Sequence, residues 1–237
     1  MNEVPGLGPR LYAEWRAADI GVITDRLEQA LILELVGNIA GLRVLDVGCG
    51  DGQLALQLWE RGAQVTGIDA SPEMIEAARL RAENRQASIA FEIAAAEQLP
   101  FASEQFDMNV AVTILCFVPD AASVFRETAR VLRPGGRLII GELGNWSSWA
   151  AARRIRAWSG SALWRRARFR TPRELRRLSE DAGLTVETAR GAIYYPRWRF
   201  AALLGARWDR ALGQLTTIGA AFIAVSAVKL AVRNQAP

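Results

Sequence analysis

At 237 residues the chain is long enough to bury a sizeable core without disulfide staples. Its 51% hydrophobic and 23% charged composition excludes disordered and fibrous classes. Histidine is absent, which removes imidazole-based triads and metal sites and leaves carboxylates and tyrosines as the available bases. The two cysteines, Cys49 and Cys116, fit neither a zinc pattern nor a disulfide framework and suit a reducing compartment. The net charge of +4 is unevenly spread: residues 1–145 carry 12 basic and 20 acidic side chains, whereas residues 146–177 carry ten arginines against Glu174. A basic block in an otherwise acidic chain points to a local role, such as an anionic substrate or surface. A solvated helical face is the plainer explanation.

Met1–Arg10 contains Glu3 and Pro5 and lacks the apolar core of a signal peptide, so a cytoplasmic location is expected. Short apolar runs then alternate with helical patterns, as in βαβ units around a parallel sheet. Strands are expected at Arg43–Val47, Gln64–Ile68, Ser88–Ala94, Phe106–Val112 and Arg137–Glu142. A helix from about Gln53 to Arg61 follows the first. Another opens at Ser71-Pro72, a cap with proline at the first helical position, and runs to about Asn84. A third, capped by Asp120, ends near Leu132, and Pro134-Gly135-Gly136 turns the chain into the fifth strand.

Trp146–Arg170 interrupts this rhythm with tryptophans among arginines, and Ser159-Gly160-Ser161 should split it into two short helices. Thr171-Pro172-Arg173-Glu174 is a capping box that restarts regular structure, with Gly183 as its C-terminal glycine. Two last strands are expected at Thr185–Tyr195 and Ala220–Leu230. The uncharged run Ala211–Val228 contains Gln214, Thr216, Thr217 and Ser226, which argues for a turn and a buried strand over a membrane span. The whole is one domain, 1–237, with a helical flap over 1–40 and an inserted lid over 146–171.

Chemistry concentrates at Asp46-Val47-Gly48-Cys49-Gly50-Asp51-Gly52, a glycine turn between a strand and a helix. Its G-x-G-x-G spacing departs from the G-x-G-x-x-G of dinucleotide sites. Asp46 and Asp51 would repel a pyrophosphate and attract a cationic ligand. Twenty-one residues after Gly48, Asp69 ends the second strand, where a carboxylate can hold two ribose hydroxyls.

Leu45–Gly52, Gly67-Ile68-Asp69-Ala70-Ser71 with Met74, Ala96–Phe101, Phe106-Asp107 and Val131–Gly136 occur in this order. Together they resemble class I S-adenosylmethionine-dependent methyltransferases, in the branch acting on small molecules. The resemblance implies an α/β fold: a doubly wound, Rossmann-like sheet of seven strands, mostly parallel with an antiparallel last strand, and helices on both faces. It also implies S-adenosylmethionine as cofactor. Asp46, Gly48, Cys49 and Gly50 would line its methionine part, and Asp69 its ribose. Ala70 and Met74 would pack on the adenine, Ala96 and Glu97 would meet its edge, and Leu115 would lie near the methionine tail. Ala95 stands where the family usually has an aspartate, so a degenerate cofactor-binding relative is an alternative.

Methyl transfer is an in-line displacement for which no metal is needed, and a general base serves only an acceptor that must lose a proton. Glu142, Tyr194 and Tyr195 are the weak candidates for that base. The acceptor is expected to be an aromatic, anionic or lipid- or quinone-like small molecule, with Tyr12, Trp15, Cys116, Trp149 and Arg165 as substrate-side residues. Thr113–Asp120 lacks the Asn/Asp-Pro-Pro-Tyr/Phe signature of enzymes that methylate nucleic-acid amines. An arginine-rich lid serving nucleic acid or a membrane surface, with peripheral membrane contact, is the remaining alternative.

Overall fold

The computed structural model describes residues 8–231, and of 11–13, 19, 199 and 203 the backbone alone. Seven strands form one sheet in the order β3-β2-β1-β4-β5-β7-β6. They are β1 (Arg43–Val47), β2 (Gln64–Asp69), β3 (Ala90–Ile93), β4 (Phe106–Val112), β5 (Leu132–Leu143), β6 (Leu184–Ala192) and β7 (Phe222–Lys229). β1 to β5 pair in parallel, and β7 runs antiparallel between β5 and β6. The strand order reverses between β1 and β4, which opens a crevice at their carboxyl ends where such sheets take ligands.

Helices α1 (Pro9–Ala17) and α2 (Asp19–Val36) precede the sheet, and α3 (Gln53–Glu60), α4 (Pro72–Asn84) and α5 (Ala121–Val131) make its crossovers. The expected caps form. Ser71 Oγ accepts from Met74 N, Asp120 accepts from Ser123 N, and Thr171 and Glu174 close a reciprocal capping box at α8 (Pro172–Asp181). One apolar layer packs α2, α3 and α4 on one face of the sheet; a second packs α5 and α8 on the other. Val44, Leu45, Val47 and Ile68 are fully buried, as central parallel strands covered on both faces require.

The 146–171 segment splits at Ser159–Ser161 into α6 (Ser148–Trp158) and α7 (Ala162–Arg166). An isolated bridge from Gly144 to Arg170 closes its base.

Several boundaries differ from the sequence-based expectation. β3 is shorter, and β5 begins at Leu132, because Leu132 pairs with Phe106 before the Pro134-Gly135-Gly136 bulge shifts the register. β6 stops at Ala192, not Tyr195: Ile193 takes φ +64°, and Asp209 accepts from the N–H groups of Ile193 and Tyr194, which diverts the chain. β7 begins at Phe222 rather than Ala220. The largest difference is α9 (Arg199–Leu215), a helix where a turn before the last strand was expected. Its Phe200, Leu204, Trp208, Leu212 and Leu215 recur at helical spacing and are exposed, so this apolar row faces outward. Among the described residues, no helix is long and apolar enough to cross a membrane.

Candidate functional site at the carboxyl ends of the strands

The glycine turn between β1 and α3 bends through left-handed backbone, with Gly48 at φ +72° and Gly50 at φ +53°. A Cβ on Gly48 would lie 2.6 Å from Ile114 Cδ1, so glycine is required there by space as well as by φ. At Gly50 a Cβ would meet open space. Asp69 fixes this loop: one carboxylate oxygen accepts from Gly50 N at 3.0 Å and the other from Ser71 N at 2.9 Å. Burial raises the pKa of Asp69, and those two hydrogen bonds oppose the rise.

Asp46 is buried beneath the turn, and its Oδ2 has no hydrogen-bond partner among the described residues. Burial first, and the neighbouring charge of Asp69 second, push it up to about 7. Asp51 does not cap α3. It pairs with Arg16 from α1 and Arg81 from α4, and Arg16 also donates to Gln53. The attraction expected between Asp51 and a cationic ligand is thus met inside the protein. A groove of about 440 Å³ opens beside Arg16, Asp25 and Gln53.

Met74 and Ala96 are buried, Glu97 is half-buried and Ala70 is exposed, all around the carboxyl end of β2. An unfilled space over Gly50, an orphaned carboxylate oxygen below and Asp69 at the rim fit a cationic, ribose-bearing cofactor. Cys49 is buried against these carboxylates, and burial holds its thiol far above the ordinary range.

Across β4 the character changes. Glu142, at the end of β5, is 1% exposed and accepts from Leu115 N at 2.6 Å, which pins the loop after β4. Its second oxygen has no partner among the described residues, and burial pushes the carboxyl up to about 7. Glu142 thus holds Leu115 through one oxygen. Tyr194 and Tyr195 are both pushed up to about 12 by burial, so they stay neutral phenols; Tyr194 also donates to Thr216 O. Cys116 lies fully buried with its thiol directed at Thr113 O. Trp15 is half-buried on α1, and the side chain of Tyr12 lies outside the described residues.

Trp149 turns inward, 2% exposed, and its indole N–H donates to Tyr195 O at 2.8 Å. Arg153, one turn on, turns inward with it. Its guanidinium lies 5.6, 5.2 and 5.9 Å from the ring centroids of Trp149, Trp164 and Phe169. Arg165, by contrast, is exposed, as are Arg166 and Arg168.

Glu28, on α2, is a further acid beside this region. It joins this region through its charge, which acts on Arg153 and Tyr195, and burial pushes it up to about 8. The signal was present: Thr24, Glu28 and Ile32 share one helical face, and Thr24 and Ile32 are each 1% exposed. Below Tyr195, a groove of about 530 Å³ runs along α9, lined by Gly205, Trp208, Leu212 and Leu215.

The comparisons with known proteins follow the same line. Residues 45–140 match the family model described as a methyltransferase domain. The ubiquinone biosynthesis O-methyltransferase of Xanthomonas oryzae pv. oryzae is 35% identical over 180 residues, covering 73% of this chain and 74% of its own. That of Idiomarina loihiensis is 35% identical over 167 residues, or 67% of this chain and 68% of its own. A Thermotoga maritima methyltransferase, described as a possible histamine N-methyltransferase, superposes with a TM-score of 0.69 at 23% identity, over 93% of this chain and 95% of its own. Magnesium protoporphyrin IX methyltransferase from Synechocystis, solved with bound SAH, superposes at 0.65 with 22% identity, over 89% of this chain and 85% of its own. These two show the fold. The identity to the ubiquinone biosynthesis O-methyltransferases, together with the methyltransferase-domain match, the glycine turn and the carboxylate at the end of β2, makes the chain a member of the class I S-adenosylmethionine-dependent methyltransferases.

Proposed function

We propose that this enzyme methylates a hydroxyl on an aromatic small molecule that carries an apolar tail, in the manner of a quinone precursor. The observation that carries this reading is the apolar groove along α9, which reaches Tyr195, the residue whose carbonyl accepts from the indole of Trp149 on α6. The ring would lie under the 146–171 lid and the tail along the groove. The curated relatives, named as O-methyltransferases of ubiquinone biosynthesis, support the same class.

S-adenosylmethionine, when bound, supplies a methyl group on a sulfonium that an acceptor oxygen displaces in line. The chain's own part is to hold, align and deprotonate. Asp46, Gly48, Cys49 and Gly50 line the methionine end, with Leu115 beside it. Asp69 receives the ribose hydroxyls, Ala70 and Met74 flank the adenine, and Ala96 and Glu97 meet its edge. Glu142 positions Leu115. Glu28, with an affinity for protons set by burial near neutral pH, takes the hydroxyl proton. Alignment of this kind supplies up to about 7–11 kcal/mol in the best cases.

The test is transfer of labelled methyl from S-adenosylmethionine to a catechol bearing an alkyl tail and to catechol itself. Methyl ether should form on both, with a lower KM for the tailed acceptor, and Trp208→Ser should erase that KM advantage alone. Failure to methylate either, with cofactor binding intact by calorimetry, would overturn the reading.

A further inference from the structure

The mechanism above leaves one deeply buried charge unexplained. Arg153 is 7% exposed, on the inner face of a helix whose other arginines, Arg154 and Arg156, point to solvent. Its Nη1 has no hydrogen-bond partner among the described residues. Burying a guanidinium is costly unless it is paired. Here burial brings its pKa down to about 10.

The rings of Trp149, Trp164 and Phe169 offset part of that cost through their negative faces, yet a ring accepts no in-plane hydrogen bond. A second guanidinium, that of Arg197, lies 5.1 Å from the Trp149 ring and adds to the positive field. Arg170, at the base of the segment, donates from Nη2 to Leu115 O, and its Nε is buried without a partner among the described residues. Glu28 is the acid whose charge most raises the pKa of Arg153, but it is itself pushed up to about 8 and carries less than a full charge at neutral pH. The cluster is therefore short of negative charge and supplied with a planar fork edged by flat rings.

We propose that Arg153, supported by Arg197, binds a carboxylate carried on the aromatic ring of the acceptor. A guanidinium fork matches a carboxylate in two parallel hydrogen bonds, and the ring bearing it would lie against Trp149 and Trp164. The proposal rests on the aromatic-acceptor reading and narrows it to aromatic acids.

The experiment uses the SAH-loaded protein and follows tryptophan fluorescence during titration with 3,4-dihydroxybenzoate, its methyl ester and catechol. The acid should bind at least about tenfold tighter than the ester, as expected for a charge-assisted pair. Arg153→Gln should remove that preference while SAH affinity and ester binding stay within about twofold. Arg153→Lys, which keeps the charge but loses the fork, should retain part of it, and it decides the matter if the glutamine variant fails to fold. Equal binding of acid and ester by the parent protein, or an undiminished preference in the variants, would overturn the proposal and leave the aromatic-acceptor reading standing. Binding of none of the three would overturn both.

Discussion

On the β1–β2 side of the sheet the functional charges are carboxylates, and backbone N–H groups answer them: Gly50 and Ser71 donate to Asp69. Beyond β4 guanidiniums join the carboxylates Glu142 and Glu28, and aromatic faces surround one of them: Trp149, Trp164 and Phe169 lie around Arg153. A backbone-held site has its geometry fixed by the fold and can serve one invariant ligand. A site walled by side chains from α2, α6 and the segment after β6 can change its specificity by substitution without disturbing the sheet. The region that fits the cofactor and the region proposed for the acceptor are thus two kinds of construction.

Glu28→Gln tests whether the second half does chemistry as well as binding. Loss of a general base lowers kcat by about 10²–10⁴-fold, with cofactor affinity unchanged. In the parent protein, kcat should climb with pH through about 8 as Glu28 gives up its proton. Stability runs the other way. Burial raises Glu28 from 4.5 to about 8, so the folded state holds the proton more tightly than the unfolded state. The stabilisation is full below about 4.5 and is lost as pH rises through 8, by up to about 1.4 kcal/mol per pH unit. Glu28→Gln should flatten the decline in melting temperature between pH 5 and 8, and an unchanged slope would remove Glu28 from this account.

Asp69→Ala tests the backbone-held half. The variant loses the acceptor for Gly50 N and Ser71 N, together with the proposed ribose contacts. Hydrogen bonds to a charged acceptor are worth about 1.5–3 kcal/mol, so S-adenosylmethionine should bind roughly ten- to a hundredfold more weakly by calorimetry. Equal affinity in the two proteins would mean that Asp69 only shapes the loop.

The same contrast explains what could be read from sequence. Asp46, Gly48, Gly50 and Asp69 lie within 24 consecutive residues, and their spacing is dictated by one strand-turn-helix-strand unit, so the pattern alone places them. Glu28, Arg153 and Arg197 are spread over 170 residues and meet only through tertiary packing. Arg153 stands one helical turn from Trp149, and a mixed tryptophan and arginine face argues against a membrane-surface helix without saying which of the arginines turns inward. Burial singles out Arg153 from its neighbours Arg154 and Arg156. The signal for α9 is the four-residue period of Phe200, Leu204, Trp208 and Leu212, an apolar row that faces outward and so marks a helix without marking a core.

The smallest effect is expected where the arginines are most numerous. Arg165, Arg166 and Arg168 are exposed, and the side-chain contact that Arg165 does make, to Gly160 O at 3.5 Å, is at the limit of a hydrogen bond. Arg168 is tied to the site through its backbone, whose N–H donates to Cys116 O, and a glutamine would keep that bond. Replacing all three with glutamine should therefore leave acceptor KM within about twofold and stability within about 0.5 kcal/mol per site, as for ordinary surface positions. Steady-state kinetics over a range of salt concentrations makes the comparison sharp. A several-fold rise in KM that grows as salt is lowered would show that the outer arginines steer an anionic acceptor toward the site. A flat response would confine recognition to the inward-facing Arg153 and Arg197, and would make the outer basic block a solvated face that gives the segment its charge but none of its selectivity.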